Sequence, residues 1–137
     1  MNNKKIITVK ASEINDKDFS LYRGFYLISN KGRIYFPTKN KNEYQEKATK
    51  DGRYYTVMIK GHRELVHRIV AEQFCRGKDT LDEKNKQLKN TVDHIDGCRY
   101  NNNAKNLEWI SQLRNNQRYE ANKKSNNLHV CNNSCKK

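Results

Sequence analysis

The sequence predicts an α+β protein with a small N-terminal antiparallel β module, then a helix, then a strand–loop–strand–helix unit. Three observations predict this order. Aromatic and β-branched runs separated by turn residues occupy the first half of the chain. An apolar repeat at helical spacing follows them. Beyond that repeat, two short apolar runs flank a polar loop and lead into a candidate helix start.

The N-terminal β module is predicted from three runs of strand-forming residues. Residues 24–30 and 32–36 are joined by an Asn-Lys-Gly turn, which is typical of a hairpin. A third strand is predicted at 54–59, where Tyr, Thr, Val, Met and Ile follow an Asp-Gly pair and precede Gly61. These runs together predict three short antiparallel strands.

The first helix is predicted over residues 64–74, with Gly77 as its stop signal. Its apolar stripe consists of Leu65, Val66, Ile69, Val70 and Phe74. His67 lies within this helix, and we interpret it as a packing or solvent-facing histidine with no chemical role. The charged segment 78–90 is predicted to be a surface connection.

The second half of the chain predicts two strands joined by a polar loop. A short strand is predicted to end at Val92, an Asp-Gly pair at 96–97 indicates a turn, and a return strand with core side chains is predicted at 107–110. Ser111 is a plausible N-cap of the next helix, which places Asn115 just inside that helix. The ends of both strands and the start of this helix should therefore converge.

The side chains at this convergence fit the hydrolysis of a phosphodiester bond. His94 can act as general base, because a neutral imidazole combines basicity with availability near pH 7. Asp93 and Asn115 offer a carboxylate and an amide oxygen, which suit Mg²⁺. Asn106 is better suited to tying the loop to the return strand than to proton transfer.

Composition indicates a polyanionic partner. The 137 residues include 28 Lys and Arg but only 15 Asp and Glu, a formal net charge of +13. Nucleic acid is favoured over a membrane surface, because no helix-length run joins a basic face to an apolar one. Candidate phosphate contacts lie on the β module and around the site: Lys31, Arg33, Arg53, Lys60, Arg99, Lys105, Arg114 and Arg118.

Hydropathy and cysteine content indicate the size of the core, the compartment and the state of the thiols. A hydrophobic share of 34% and a mean hydropathy of −1.15 predict one small domain with a thin core. We expect a soluble, cytoplasmic protein without a signal peptide or membrane span. Four cysteines without a regular framework are expected to be reduced. A zinc site is the alternative use of these cysteines, which are Cys75, Cys98, Cys131 and Cys135.

The run Asp-His-Ile-Asp-Gly at 93–97, the run Asn-Leu-Glu-Trp at 106–109 and the later Asn115 resemble the HNH endonucleases with a ββα-metal motif, also called His-Me finger nucleases. The spacing of His94, Asn106 and Asn115 is similar to that of free-standing homing endonucleases of phages and introns. Residues 65–71 resemble the helix that precedes the motif. Residues 26–34 resemble a β module that often accompanies it and contacts DNA.

The resemblance covers about Glu13 to Arg118 and implies a function for each part. It implies a nuclease that uses His94 as base, Asp93 and Asn115 as ligands of one Mg²⁺ or Mn²⁺ ion, and Asn106 as a brace of the loop. The domains implied are a β module at 1–62, a nuclease domain at 63–118 and a polar basic tail at 119–137. DNA is the implied substrate, and no small-molecule cofactor is expected.

The chain departs from the homing pattern after Asn116, because no helix-turn-helix is recognisable there. A nicking enzyme is therefore as plausible as a homing enzyme of phage origin, acting as a monomer in the host cytoplasm. Two alternatives belong to other classes. One is a catalytically silent nucleic-acid binder that retains the fold, and the other is a zinc-stapled binding domain.

Overall fold

The computed structural model describes residues 8–15, 17–39 and 43–125, except for the side chains of 122–125. Within these ranges the strands are β1 Thr8–Lys10, β2 Phe19–Tyr22, β3 Tyr26–Ser29, β4 Ile34–Pro37, β5 Glu43–Glu46, β6 Thr49–Lys50, β7 Tyr55–Ile59, β8 His62–Leu65, β9 Thr91–His94 and β10 Leu107–Ile110. The α-helices of the same residues are α1 Val66–Phe74 and α2 Gln112–Ser125, and single 3₁₀ turns lie at Ala11–Glu13 and Ala104–Asn106. The predicted α+β class is confirmed. Within the described ranges, neither helix has both the length and the apolar content needed to cross a bilayer.

The N-terminal sheet is antiparallel, with strand order β1-β5-β4-β3-β2. The predicted hairpin is present as β3 and β4, with Ile28 paired to Ile34. Its first strand begins two residues later than predicted, because Arg23 and Gly24 adopt φ of 55° and 68° and form the turn from β2. Such a left-handed pair is the geometry that tight hairpin turns require.

A second antiparallel sheet has the order β6-β7-β8, and its strand β7 begins one residue after the start of the strand predicted at 54–59. The prediction of three strands in this half of the chain is wrong, because the described residues up to Leu65 form eight. The first helix begins two residues later than predicted. Glu64 and Leu65 belong to β8 rather than to the helix, and Leu65 has extended angles of φ −80° and ψ 125°. Lys60 and Gly61, with φ of 50° and 82°, turn the chain from β7 back into β8. Pairing with β7 therefore extends residues that the helical pattern includes.

Helix α1 buries its apolar stripe between the sheets and the β9–β10 hairpin. The indole Nε1 of Trp109 donates a hydrogen bond of 3.3 Å to the Ala71 carbonyl, which ties β10 to the helix. One continuous core is formed by Tyr22, Tyr26, Ile28, Ile34, Val57, Ile59, Val66, Ile69, Val70, Ala71, Val92, Leu107 and Trp109. This core contains residues on both sides of position 62, and the domain boundaries stay a prediction.

The segment 78–90 is mostly exposed but contains one buried acid. Asp82 is 1% exposed and accepts a hydrogen bond of 3.4 Å from the hydroxyl of Ser111. That hydroxyl also accepts bonds from Asn85 Nδ2 at 2.8 Å and from the backbone N–H of Arg114 at 3.2 Å. Ser111 therefore caps α2 as predicted, and this segment supports the cap.

Candidate active site

The β9–β10 hairpin and the first turns of α2 build the candidate site. His94 ends β9 opposite Leu107, and Asp93 lies opposite Glu108. The chain bends immediately afterwards, because the N–H of Gly97 donates to the His94 carbonyl at 2.8 Å and Gly97 has φ of +78°. This turn ends the extended strand at the point where the site requires it.

One cleft of about 430 Å³ receives the predicted base and both predicted metal ligands. Its walls are formed by Tyr54, His67, Val92, Asp93, His94, Ile95, Gly97, Arg99, Asn115, Arg118, Tyr119 and Ala121. Sequence reasoning therefore placed Asp93, His94 and Asn115 together correctly, although they come from two different elements. Asn106 is not part of this wall.

The imidazole of His94 is buried and held from one side. Its Nε2 lies 2.8 Å from Oδ1 of Asn102, and His94 is 8% exposed. An amide oxygen can only accept a hydrogen bond, so Nε2 carries the proton and Nδ1 keeps the lone pair. Burial lowers the pKa of His94, while the bond to Asn102 and the charge of Asp93 act in the opposite direction. The neutral, basic form thus prevails near pH 7.

Asp93 already has a cationic partner from the protein. Arg118, one turn beyond Asn115 on α2, places Nη1 2.6 Å from Asp93 Oδ2. The same nitrogen contacts Glu108 on the neighbouring strand. The structure therefore assigns to Arg118 an ion pair inside the cleft, in addition to any contact with DNA.

Asn106 ties together the loop that follows His94. Its Nδ2 donates bonds of 2.9 Å to Asp96 Oδ1 and to the carbonyl of Asn101, and its Oδ1 accepts the N–H of Asp96 at 3.0 Å. Burial of Asp96 acts to raise the pKa of its carboxyl, but the bonds from Asn101, Cys98 and Asn106 outweigh it and lower the pKa. The amide thus closes the loop from both ends.

Asn102 is a site residue that sequence reasoning missed. Asn102 is 3% exposed, and its backbone lies against the β3–β4 turn. The contact is so close that a Cβ added to Gly32 would come within 2.5 Å of the carbonyl carbon and oxygen of Asn102. The neighbouring N–H of Ala104 donates to the Asn30 carbonyl at 2.7 Å. The N-terminal hairpin therefore supports the loop residue that orients His94.

His67 was interpreted as a packing or solvent-facing histidine without a chemical role, and the structure places it among the buried residues that line the cleft. It is 7% exposed and lines the cleft, with its ring centroid 4.9 Å from that of His94 and 5.1 Å from that of Tyr54. Burial, together with His94 and Arg68, lowers the pKa of His67 to about 3. The available signal was a histidine next to the apolar stripe of α1.

The predicted DNA-contact residues occupy three kinds of position. Arg99 and Arg118 line the cleft, and Arg99 lies over the Tyr54 ring at 5.7 Å. Arg33 is paired with Glu46 at 2.8 Å, and Arg114 lies 4.0 Å from Asp82. The remaining four are exposed: Lys31, Arg53, Lys60 and Lys105.

The cysteines correct one expectation. Cys98 is disulfide-bonded, so the prediction of reduced thiols is wrong for this residue, whereas Cys75 is a free thiol. Cys131 and Cys135 lie outside the described residues. Across the described part of the chain, no three His, Cys, Asp or Glu side chains form a metal-binding group.

Comparison with known proteins gives two relatives, although no family model matches the chain. DNA endonuclease I-HmuI of Bacillus phage SP01 is 35% identical over 100 residues, which cover 70% of this chain and 52% of that protein. The HNH endonuclease L247 of Acanthamoeba polyphaga mimivirus is 30% identical over 95 residues, 66% of this chain and 22% of that protein. The matched residues thus span about half the length of the first relative and about a fifth of the second.

Among solved structures, the HNH homing endonuclease I-HmuI matches with a TM-score of 0.48 and 28% identity, over 80% of this chain and 63% of that one. The sequence similarity to both relatives agrees with the resemblance carried by residues 93–97, 106–109 and 115. The chain is a relative of the HNH endonucleases.

Proposed function

We propose that this protein is a metal-dependent DNA endonuclease in which β9, β10 and the start of α2 form a ββα-metal site. The observation that supports this proposal is the convergence of Asp93, His94 and Asn115 on one cleft. Both relatives are named as endonucleases, one a DNA endonuclease and the other an HNH endonuclease, which favours the same activity. Both relatives come from viruses, and a nicking enzyme of phage or homing type, acting in the host cytoplasm, fits such an origin.

His94 is the general base of the proposed reaction. Because Asn102 occupies Nε2, the lone pair on Nδ1 is the one able to take a proton from water. The resulting hydroxide oxygen forms a bond to phosphorus as the bond from phosphorus to the 3′ oxygen breaks. Burial keeps His94 neutral before this step, so the base is available near pH 7.

The donor set of the cleft fits one hard divalent cation. Asp93 offers carboxylate oxygens and Asn115 an amide oxygen, which are ligands that Mg²⁺ and Mn²⁺ accept in oxygen-rich sites. Such an ion, when bound, supplies stabilisation of negative charge on the phosphate and on the departing oxygen. Few protein ligands are required, since phosphate oxygens and water complete the coordination.

Asn106 serves the proposed reaction indirectly. Its three hydrogen bonds hold residues 96–101 in the turn that follows His94. A looser turn would let the imidazole move away from its position in the cleft, and small displacements of a catalytic group reduce rates strongly. We therefore assign to Asn106 the position of the base rather than any proton transfer.

DNA is the proposed substrate, bound largely through its phosphates. The net charge of +13 favours a polyanion, and the exposed Lys31, Arg53, Lys60 and Lys105 are free to make phosphate contacts that position a duplex. With this cleft as the active site of each chain, a monomer would cut one strand per encounter. Cleavage of both strands at a fixed stagger would instead favour a dimer.

Plasmid nicking tests this proposal against the silent nucleic-acid binder. Supercoiled plasmid should be converted to open circles with Mg²⁺ but not with EDTA, and His94→Ala should slow conversion by about 10²- to 10⁴-fold. His62→Ala, an exposed histidine of β8, is the matched control and should cut normally. Plasmid binding without cleavage by the wild-type protein would support the silent binder. Cleavage that survives EDTA or loss of His94 would overturn the mechanism.

A further inference from the structure

We propose that His67 is a second functional imidazole of the cleft, a neutral N–H donor that binds a non-bridging oxygen of the scissile phosphodiester. This inference rests on the proposed endonuclease function and adds a residue to it. His67 projects from the first turn of α1, whereas His94 ends β9, so two independent elements bring the two rings together.

The position of His67 places it within reach of a ligand in the cleft. The ring packs against both Tyr54 and His94, at centroid distances of 5.1 and 4.9 Å, and these two rings lie 6.4 Å from each other. His67 lines the same cleft as Asp93 and Asn115. Only 7% of the residue is exposed. A phosphate oxygen that enters the cleft would therefore meet a largely dehydrated imidazole, where a hydrogen bond is stronger than in water.

The hydrogen bonds of His67 determine which nitrogen carries the proton. Nδ1 is fully buried and, among the described residues, has no hydrogen-bond partner. A buried N–H without an acceptor is costly, so the proton resides on Nε2 and the lone pair on Nδ1. Nε2 is not one of these fully buried atoms without a partner, and we infer that this nitrogen faces the cleft.

The two histidines therefore have complementary roles. His94 presents a lone pair on Nδ1 because Asn102 holds its Nε2. His67 presents an N–H on Nε2 because its Nδ1 is buried without a partner. Burial also keeps His67 uncharged at neutral pH, with a pKa of about 3. One ring accepts a proton and the other donates a hydrogen bond, without repulsion between two cations.

A packing role alone does not explain this histidine. An apolar ring of similar size would fill the same space without burying an unpaired nitrogen, and such replacements are often neutral or stabilising. The protein instead retains a buried polar atom beside its candidate base. Unsatisfied buried groups are uncommon in folded proteins, and those that persist often belong to functional sites.

Two substitutions of His67 distinguish hydrogen-bond donation by the imidazole from a role in packing. His67→Phe retains a ring but no donor, and we expect nicking to slow by about 10²- to 10³-fold. Binding to plasmid and the melting temperature should match the wild type or rise. His67→Gln, whose side-chain amide carries an N–H near the position of Nε2, should retain cleavage within about tenfold of wild type. His62→Phe controls for the same change at an exposed site. Cleavage by folded His67→Phe at the wild-type rate would overturn the proposal.

Spectroscopy tests the same inference without requiring cleavage. In protein labelled with ¹⁵N histidine, the ring correlations of His67, assigned with His67→Phe, should show the neutral Nε2–H form at pH 7. A short DNA duplex added in EDTA should shift this N–H resonance. If the wild-type protein binds but does not cut, the endonuclease proposal fails while this result still decides the role of His67. An Nδ1–H form, or a resonance unmoved by bound duplex, would refute donation.

Discussion

The guanidinium of Arg118 lies 2.6 Å from the carboxylate of Asp93, so a cation of the protein pairs with the acid proposed to hold a metal ion. Arg118 also contacts Glu108, and its side chain is one-third exposed. A divalent cation held by Asp93 would compete with this ion pair for the same carboxylate.

Removal of this competing cation should strengthen metal binding. We expect Arg118→Gln to bind Mn²⁺ in the absence of DNA about 1.5- to 5-fold more tightly, which is the effect of losing a partly exposed ion pair. Isothermal titration calorimetry measures this change directly. Arg114→Gln is the matched control on the same helix, because Arg114 lies near Asp82 and not near Asp93. Equal affinities of Arg118→Gln and wild type would contradict competition for Asp93.

A methyl group on the β3–β4 turn should disturb the candidate site from a distance. Gly32→Ala and Gly61→Ala both place a side chain at positive φ, +91° and +82°, which costs roughly 1–2 kcal/mol each. Only the Gly32 methyl would collide with Asn102, at 2.5 Å, whereas the Gly61 methyl meets nothing within 4 Å. We expect Gly32→Ala to lose a further ~1–3 kcal/mol in urea unfolding, or to move the loop and lose nicking activity.

The control makes this prediction specific to the contact. Gly61→Ala should show the backbone cost alone, with normal cleavage per folded molecule. If both variants show the same loss of stability and full nicking activity, the contact between Gly32 and Asn102 has no effect on the site.

Loss of the Asn102 amide should slow cleavage while leaving DNA binding intact. Asn102→Ala removes the acceptor that orients His94, and changes to such supporting groups typically cost about 10- to 100-fold. Asn102→Asp retains an oxygen acceptor and should recover part of the rate. Single-turnover nicking and duplex binding measure the two effects separately. Asn103→Ala changes the same loop without touching the imidazole, and a loss as large as that of Asn102→Ala would indicate general loosening instead.

The buried His67 should make folding sensitive to acid. The unfolded chain binds a proton at this residue below about pH 6.5, whereas the folded protein does so only near pH 3. The unfolded state holds more protons between these values, so the unfolding free energy falls as the pH falls, by up to about 1.4 kcal/mol per pH unit. His67→Phe should flatten this slope in urea unfolding measured from pH 7 to 4. An unchanged slope in His67→Phe, equal to that of His62→Phe, would contradict the depressed pKa.

Short-range sequence patterns predicted the elements whose conformation is determined by residues close together in the chain. The hairpin of β3 and β4, the strand β7 and the helix α1 follow from turn residues and periodicity, and the α2 cap follows from Ser111. Five strands of the N-terminal half were missed, namely β1, β2, β5, β6 and β8. In β8, Glu64 and Leu65 were assigned to the helix because Leu65 also fits the apolar helical repeat. Pairing with β7, a tertiary contact, decides their conformation.

The candidate site was predictable only where it follows the motif. Asp93, His94, Asn106 and Asn115 were predicted as site residues because their residue types and spacing suit the chemistry and resemble a known motif. Asn102 and His67 were not, since one gains its role from a contact 8 residues away and the other from a helix packed against β9. The partner of Arg118 likewise depends on how α2 lies across the strands. Nonlocal packing of this kind leaves no periodic trace in a sequence.

The contact of the β3–β4 turn with the loop that holds His94 limits how this protein can be divided. A chimera that transplants only the residues after α1 onto a foreign module would leave Asn102 and Ala104 without the surface formed by Gly32 and the Asn30 carbonyl. The β3–β4 hairpin must therefore be transferred together with the residues that follow α1.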